Sequence, residues 1–315
     1  MPDTHVIDPT RLKFGIGQPV PRAEDPALLT GRGRYTDDIS LPGEVFAVMV
    51  RSPYAHGTIR AINTDAARAL PGVLGVWTGA DLTGFAPMTC AMPLKNRDGS
   101  PLHTTKRLPL ATDKVRHVGD PVAFVVAETR AQAKDAAELI ELDIDPLDAV
   151  TEASAAAAPG APQLYDDLPG NLVLDYAAGD SDKVADAFAR ASHVTRLSIR
   201  NNRVVVAAME PRAAIASYED GRPVLRLGCQ GVFGLRAQLA GLLGEKPERV
   251  RVLTGNVGGS FGMKANVYPE YLCLLHAAKA LGRPVKWTDE RSGSFLSDQH
   301  GRDHEGEAEL ALDAA

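Results

Sequence analysis

Four glycines fall within eight positions of the run Gly255-Asn256-Val257-Gly258-Gly259-Ser260-Phe261-Gly262-Met263-Lys264. Glycine lets the main chain approach a ligand closely and turn successive N–H donors toward an anion or an electron-rich group, so backbone rather than side chains is expected to bind here. Spacing tests two phosphate motifs. A Walker A loop needs glycine directly before lysine and then Ser or Thr, but Met263 separates Gly262 from Lys264 and Ala265 follows. A dinucleotide fingerprint needs GxGxxG running straight into a helix, whereas the order here is GxxGGxxG and residues up to Tyr268 intervene. Both fail, and Gly15-Ile16-Gly17 and Gly31-Arg32-Gly33 read as turn formers. Gln230 offers a neutral amide between a strand and a helix; by itself it reads more readily as a helix-starting polar residue than as a functional one. Glu210, in Glu-Pro-Arg, reads as a structural ion-pair member rather than a catalytic base. His300 and His304 have the four-residue spacing of a zinc pair, but Gly301 weakens a helix there and no third ligand stands at a motif spacing, so no metal site is expected. His56 and His117 read as packing or hydrogen-bonding residues.

The elements that must position these groups are marked by local signals. Glu44 to Arg51 is an apolar, β-branched run after the turn Leu41-Pro42-Gly43, and Gly57 to Ala61 is a second extended piece, predicting a hairpin-like pair. Thr64 to Leu70 is a short helix stopped by Pro71-Gly72, and Val73 to Trp77 a strand. Val122 to Ala127 is apolar on both faces, as buried strands are. Thr129 and Gln132 have capping-box spacing ahead of a helix whose stripe is Ala133, Ala136, Ala137 and Ile140. The Ala- and Pro-rich stretch around 153–162 predicts a linker with little to bury. Beyond it come a helix at Val184 to Ala191, a half-exposed strand at His193 to Arg200, and a strand at Arg222 to Leu227. A helix from Val232 to Leu243 follows, with Phe233, Ala237, Ala240 and Leu243 on its inner side and Gly244 closing it, then a strand at Val250 to Leu253. The helix from Pro269 to Leu281 has proline in its first turn and Gly282 past its end, and Pro284 to Thr288 is a strand.

Composition narrows the function. A chain of 315 residues exceeds what one core usually organises, so two domains are expected. A net charge of −6 and no Lys/Arg stripe argue against a nucleic-acid partner. The first fifteen residues carry Asp3, His5, Asp8 and Arg11 where a signal peptide needs an apolar core, and no stretch reaches membrane-span length, so a cytoplasmic setting is expected. Cys90, Cys229 and Cys273 are too far apart for a CxxC site, so neither a disulfide framework nor an iron–sulfur site is expected in this chain.

One resemblance becomes specific at this point. GGSFGMK at Gly258 to Lys264, YPEY at Tyr268 to Tyr271 and GRPVKW at Gly282 to Trp287 resemble the first cofactor-contacting segment of molybdenum hydroxylase large subunits. These are the xanthine dehydrogenase, aldehyde oxidase and carbon monoxide dehydrogenase proteins. Met209 to Arg212, Cys229-Gln230-Gly231 and Asp298 to His304 recur in similar order in that family, most like its carbon monoxide dehydrogenase-like branch. Gly31 to His56 and Val115 to Thr129 resemble its α/β hammerhead domain.

The resemblance implies a mixed α+β and α/β architecture: a lead segment (1–27), a hammerhead domain (28–148), an Ala/Pro-rich linker (149–168) and the first, incomplete part of a molybdopterin-binding domain (169–315). It implies cofactor contacts at Gln230, Gly258, Gly259, Ser260, Phe261 and Gly262. Gln230 is the catalytic-site candidate, its amide matching one that reaches an oxygen ligand of molybdenum. The implied cofactor is molybdenum–molybdopterin cytosine dinucleotide, whose own dithiolene sulfurs hold the metal, so no protein ligand is required. The implied activity is hydroxylation of an aldehyde, N-heterocycle or similar small substrate with water as oxygen source. Electrons would leave through a [2Fe-2S] iron–sulfur subunit and an FAD-binding medium subunit. Xanthine-oxidising members carry a glutamate where this chain has Ala265, so a purine substrate is not expected. The later loops and late glutamate base of the family are not in this sequence, which implies a missing C-terminal half and a chain inactive alone. A non-catalytic fragment or split-gene half that only associates with partner polypeptides is the competing reading, and a nucleotide-binding α/β protein a weaker one. Lys264 reads either as solvent-exposed or as a partner of cofactor phosphates.

Overall fold

The computed structural model describes residues 21–90 and 92–314. Most of the expected lead segment and Gly15-Ile16-Gly17 lie outside the described residues. The chain divides into two compact units at Arg34 and Tyr35. The described part of the first holds the short helix α1 (Asp25–Leu29), whose Asp25 accepts hydrogen bonds from the backbone N–H and side chain of Arg22.

In the second unit the first elements are β1 (Val45–Arg51), β2 (Gly57–Asn63), α2 (Asp65–Arg68), β3 (Val73–Thr78), β4 (Lys114–Val115), β5 (Pro121–Ala127), α3 (Arg130–Glu138) and β6 (Glu141–Pro146). After them come α4 (Ala153–Ala156), α5 (Ser181–Arg190), β7 (His193–Asn201), β8 (Ala213–Glu219), β9 (Arg222–Leu227), α6 (Val232–Leu243) and β10 (Arg251–Leu253). The last are α7 (Pro269–Leu281), β11 (Val285–Thr288), α8 (Arg291–Ser297) and β12 (His304–Leu312). Seven strands form one mixed sheet in the order β10-β9-β8-β11-β1-β5-β3, three form a second sheet in the order β4-β2-β6, and β7 pairs with β12 alone.

The run at β5 reads as apolar on both faces because both faces are covered. Phe124 and Val126 join the large core under α6 and α7, while Ala123, Val125 and Ala127 join a separate core with Ala133 and Ala136 of α3. Trp77 of β3 stacks on Phe124 with ring centroids 4.9 Å apart. The Thr129 Oγ1 accepts the Gln132 N–H at 3.2 Å, so the expected cap of α3 forms. Gly244 and Gly282 close α6 and α7 at φ +66 and +64, the left-handed conformation that costs glycine little.

Three local expectations are corrected. β1 and β2 do not form a hairpin: β1 lies between β5 and β11, whereas β2 pairs with β4 and β6 in the other sheet. The inner side of α6 is Leu235, Leu239 and Ala240, and Phe233 is 73% exposed. Residues two apart on a helix lie about 200° apart, and a helix apolar nearly all round gives periodicity no face to choose. The strand at β7 is exposed at eight of its nine positions rather than alternating, because a two-stranded ribbon has no layer against either face.

The stretch 149–168 is more than a passive connector. Asn171 Nδ2 donates to the Ala156 and Pro162 carbonyls at 2.9 Å each, Arg116 Nε donates to the Leu164 carbonyl at 3.0 Å, and Leu168 is buried. The segments on its two sides meet in one sheet, where β1 and β11 pair in parallel through Val45 and Val285.

Candidate functional site

Parallel neighbours β9 and β10 deliver the site. Arg251 stands opposite Val224 and Leu253 opposite Arg226, so the chain leaves both strands at the same edge of the sheet, toward Gln230 from one and the glycine loop from the other. β8 runs antiparallel to β9 with Ala214 opposite Leu227, which brings the segment ending in Glu210-Pro211-Arg212 to that edge. Ligands of α/β sheets bind outside the carboxyl ends of parallel strands because loops converge there with free backbone groups.

The loop and the glutamine touch. The Gly262 N–H donates to Gln230 Oε1 at 2.9 Å, and the Gln230 N–H donates to the Lys264 carbonyl at 3.1 Å. A backbone N–H can only donate, so the contacting side-chain atom is the carbonyl oxygen, and the Nε2 donors have no partner among the described residues. The N–H groups of Gly259, Ser260 and Phe261 are likewise unpartnered among the described residues. Positive φ values at Gly259 (+100), Phe261 (+51) and Gly262 (+92) turn the backbone sharply within four residues.

The remaining loop groups are engaged internally. The Gly258 N–H donates to Glu210 Oε2 at 2.8 Å and its carbonyl accepts the Glu210 N–H at 3.0 Å. A Cβ on Gly258 would lie 2.5 Å from Glu210 Cβ, so this glycine is required by the close passage of two chain segments. Ser260 Oγ accepts the Lys264 N–H at 3.1 Å. Lys264 is neither solvent-facing nor free: it is 2% exposed, and its Nζ donates to Glu210 Oε2 at 2.8 Å and to the Glu210 carbonyl at 2.9 Å. Glu210 is thus an ion-pair member, with Lys264 as its partner. Phe261 is 79% exposed.

Behind the loop lies a buried ionic platform that residue types alone did not disclose. Arg212, 1% exposed, donates to Glu270 at 2.9 and 3.2 Å, to Asp298 Oδ1 at 2.6 Å and to Ser297 Oγ at 2.8 Å, and Arg51 reaches Glu270 at 2.7 Å. Burial raises the Glu270 carboxyl, but Arg212 and Arg51 outweigh it and hold the group well below the usual carboxylate range. The Arg212 guanidinium lies 3.8 Å from the Tyr268 ring centroid. Tyr268 Oη donates to the Met263 carbonyl at 2.9 Å and accepts the Gln299 N–H at 3.0 Å. Burial pushes this phenol up to about 12, so it stays a donor to the loop's end.

Two of the histidine candidates bond backbone carbonyls outside the loop. His300 Nε2 lies 3.2 Å from the Phe295 carbonyl, and His56 Nδ1 2.8 Å from the Asp148 carbonyl. Among the described residues no three His, Cys, Asp or Glu side chains are gathered as a metal ion would require. No helix of the described residues is long and apolar enough to cross a membrane. A cavity of about 560 Å³ lined by Arg107, Arg116, His117, Asp120 and Tyr165 lies in the first half of the unit.

Fold and loop together define a class. A family model for the molybdopterin cofactor-binding domain matches residues 164–315, and one for the aldehyde oxidase and xanthine dehydrogenase a/b hammerhead domain matches residues 30–148. The chain therefore belongs to the molybdopterin-binding large subunits of the xanthine dehydrogenase, aldehyde oxidase and carbon monoxide dehydrogenase family. It is 37% identical over 305 residues to the nicotine 6-hydroxylase large subunit of Paenarthrobacter nicotinovorans, covering 96% of this chain and 37% of that protein. The carbon monoxide dehydrogenase large chain of Afipia carboxidovorans is 32% identical, with 94% and 37% covered. Among solved structures, quinoline 2-oxidoreductase from Pseudomonas putida 86 superposes with a TM-score of 0.85 at 37% identity, covering 93% of this chain and 37% of that one. The chain thus spans a little over a third of the length of these relatives.

Proposed function

We propose that the edge formed by Gln230 and residues 258–262 holds the pterin of a molybdenum cofactor in its cytosine dinucleotide form. The observation that supports this most is the Gly262–Gln230 hydrogen bond, which leaves two carboxamide donors beside three consecutive unpartnered N–H groups. Such a donor set suits an electron-rich cofactor and supplies no metal ligand, as a metal held through the cofactor's own dithiolene requires. Gly259, Ser260 and Phe261 contribute backbone donors, Gly258 and Gly262 contribute shape, and Gln230 Nε2 is the donor for an oxygen on the metal. When bound, the cofactor supplies two-electron oxidation of a small substrate, an aldehyde or N-heterocycle, with water as the oxygen source. Ala265 in place of a carboxylate disfavours a purine. Electrons would pass to [2Fe-2S] and FAD-binding partner subunits in the cytoplasm.

A second reading is a non-catalytic chain that only associates with partner polypeptides. Co-expression with cofactor-assembly machinery, followed by metal and pterin analysis, separates the two. Near-stoichiometric molybdenum is expected, falling about tenfold in Gln230→Ala. Absence of metal and pterin from the wild-type chain would remove the cofactor reading.

A further inference from the structure

The glycine loop is fastened at both ends by a pair of side chains outside the proposed contacts. Glu210 Oε2 accepts the N–H of Gly258 at the start of the loop and Lys264 Nζ at its end, both at 2.8 Å. Lys264 reaches further: its Nζ also bonds the Glu210 carbonyl at 2.9 Å, its N–H bonds Ser260 Oγ at 3.1 Å, and its carbonyl accepts the Gln230 N–H at 3.1 Å. One residue therefore joins all three segments of the site. Backbone packs directly on the pair, since a Cβ on Gly228 would stand 3.1 Å from Glu210 Oε2 and 3.6 Å from Lys264 Nζ. The three unpartnered N–H groups lie between the two fastened ends, so their spacing from the Gln230 carboxamide is set by the length of this clasp.

We propose that Glu210 and Lys264 are positioning residues that hold the donors of 259–261 in register with Gln230. This rests on the cofactor reading above, in that the register matters only if those donors share a ligand. A purely stabilising ion pair makes a different prediction. Replacing a buried pair by apolar side chains often restores stability, because the desolvation cost of both charges disappears, yet it cannot restore bonds that fixed a loop.

The test compares wild type, Lys264→Met and the double variant Glu210→Leu/Lys264→Met in the 315-residue chain. Three quantities are read: melting temperature, amide exchange at Gly262 with Val126 as the core reference, and molybdenum content after co-expression with cofactor assembly. Gly262 is a clean reporter because neither altered side chain bonds it. In the double variant the melting temperature is expected to rise above that of Lys264→Met, because no unpaired charge is left buried, while Gly262 exchanges about tenfold faster than the core reference predicts and molybdenum content falls about tenfold. If Gly262 protection returns together with stability, the pair is only a stabilising element and the proposal is overturned. Should the double variant not fold, Lys264→Met carries the same comparison of Gly262 with Val126, and equal changes at both sites count against the clasp. A wild-type chain that takes up no molybdenum while Gly262 still responds would leave the clasp standing and remove the cofactor reading.

Discussion

Replacing Arg212 by methionine should unfold much of the platform behind the loop, and the structure says which charge is responsible. Arg212 is buried with Glu270, Asp289 and Asp298 around it. Glu270 keeps Arg51 at 2.7 Å after the change, so it stays paired. Asp298 loses its side-chain partner at 2.6 Å while only 1% of its side chain is exposed, which leaves a carboxylate buried without an ion-pair partner. Breaking a buried pair from one side costs about 3–5 kcal/mol, and the lost stack on Tyr268 adds about 1 kcal/mol. A loss of about 4–6 kcal/mol is therefore expected, set against about 5–15 kcal/mol for a whole domain. Urea unfolding followed by far-ultraviolet circular dichroism measures it. Removing the stranded carboxylate as well, in Arg212→Met/Asp298→Leu, should recover about 2 kcal/mol or more. A single-variant cost below about 1 kcal/mol, or no recovery in the double variant, would refute the assignment of the stress to Asp298.

Two further outcomes follow from the same neighbourhood. Burial, opposed by Arg212 and Arg51, pushes the Asp289 carboxyl up to about 6. A carboxyl whose folded value lies above its unfolded value near 4 binds its proton more tightly when folded, so its contribution falls as pH rises between those values. Asp289→Asn should accordingly gain on wild type by about 2–3 kcal/mol between pH 4 and pH 7, and a difference that stays constant across that range argues against the shift. Gly258→Ala forces a methyl group to 2.5 Å from Glu210 Cβ; a stability loss of about 1–3 kcal/mol is expected from overpacking, and an unchanged melting temperature would show that the two segments can separate freely.

Much of this molecule can be read locally. Thr129, Gly244, Pro269 and Gly282 mark helix ends because capping and left-handed closure are settled within three or four residues by sterics and one or two hydrogen bonds. The strand at Pro121–Ala127 is legible for the same kind of reason: a run with no polar face has to be covered twice. The glycine loop and Gln230 stand out by residue type and by likeness to a family. Their hydrogen bond does not, since residues 230 and 262 are separated by a helix and a strand.

Partner choice is where local reading stops. The apolar run at β1 predicts a strand, yet nothing in it says that its neighbour is Val285 of β11 rather than the adjacent β2. The face of α6, the partner of Lys264 and the three carboxylates around Arg212 are decided in the same way. Sequence alone determined where elements begin and end and which backbone is free to bend around a ligand, because those depend on neighbours along the chain. Only the tertiary structure decided which donors are already taken and which remain free, because each such bond joins segments whose separation along the chain carries no period or spacing to read.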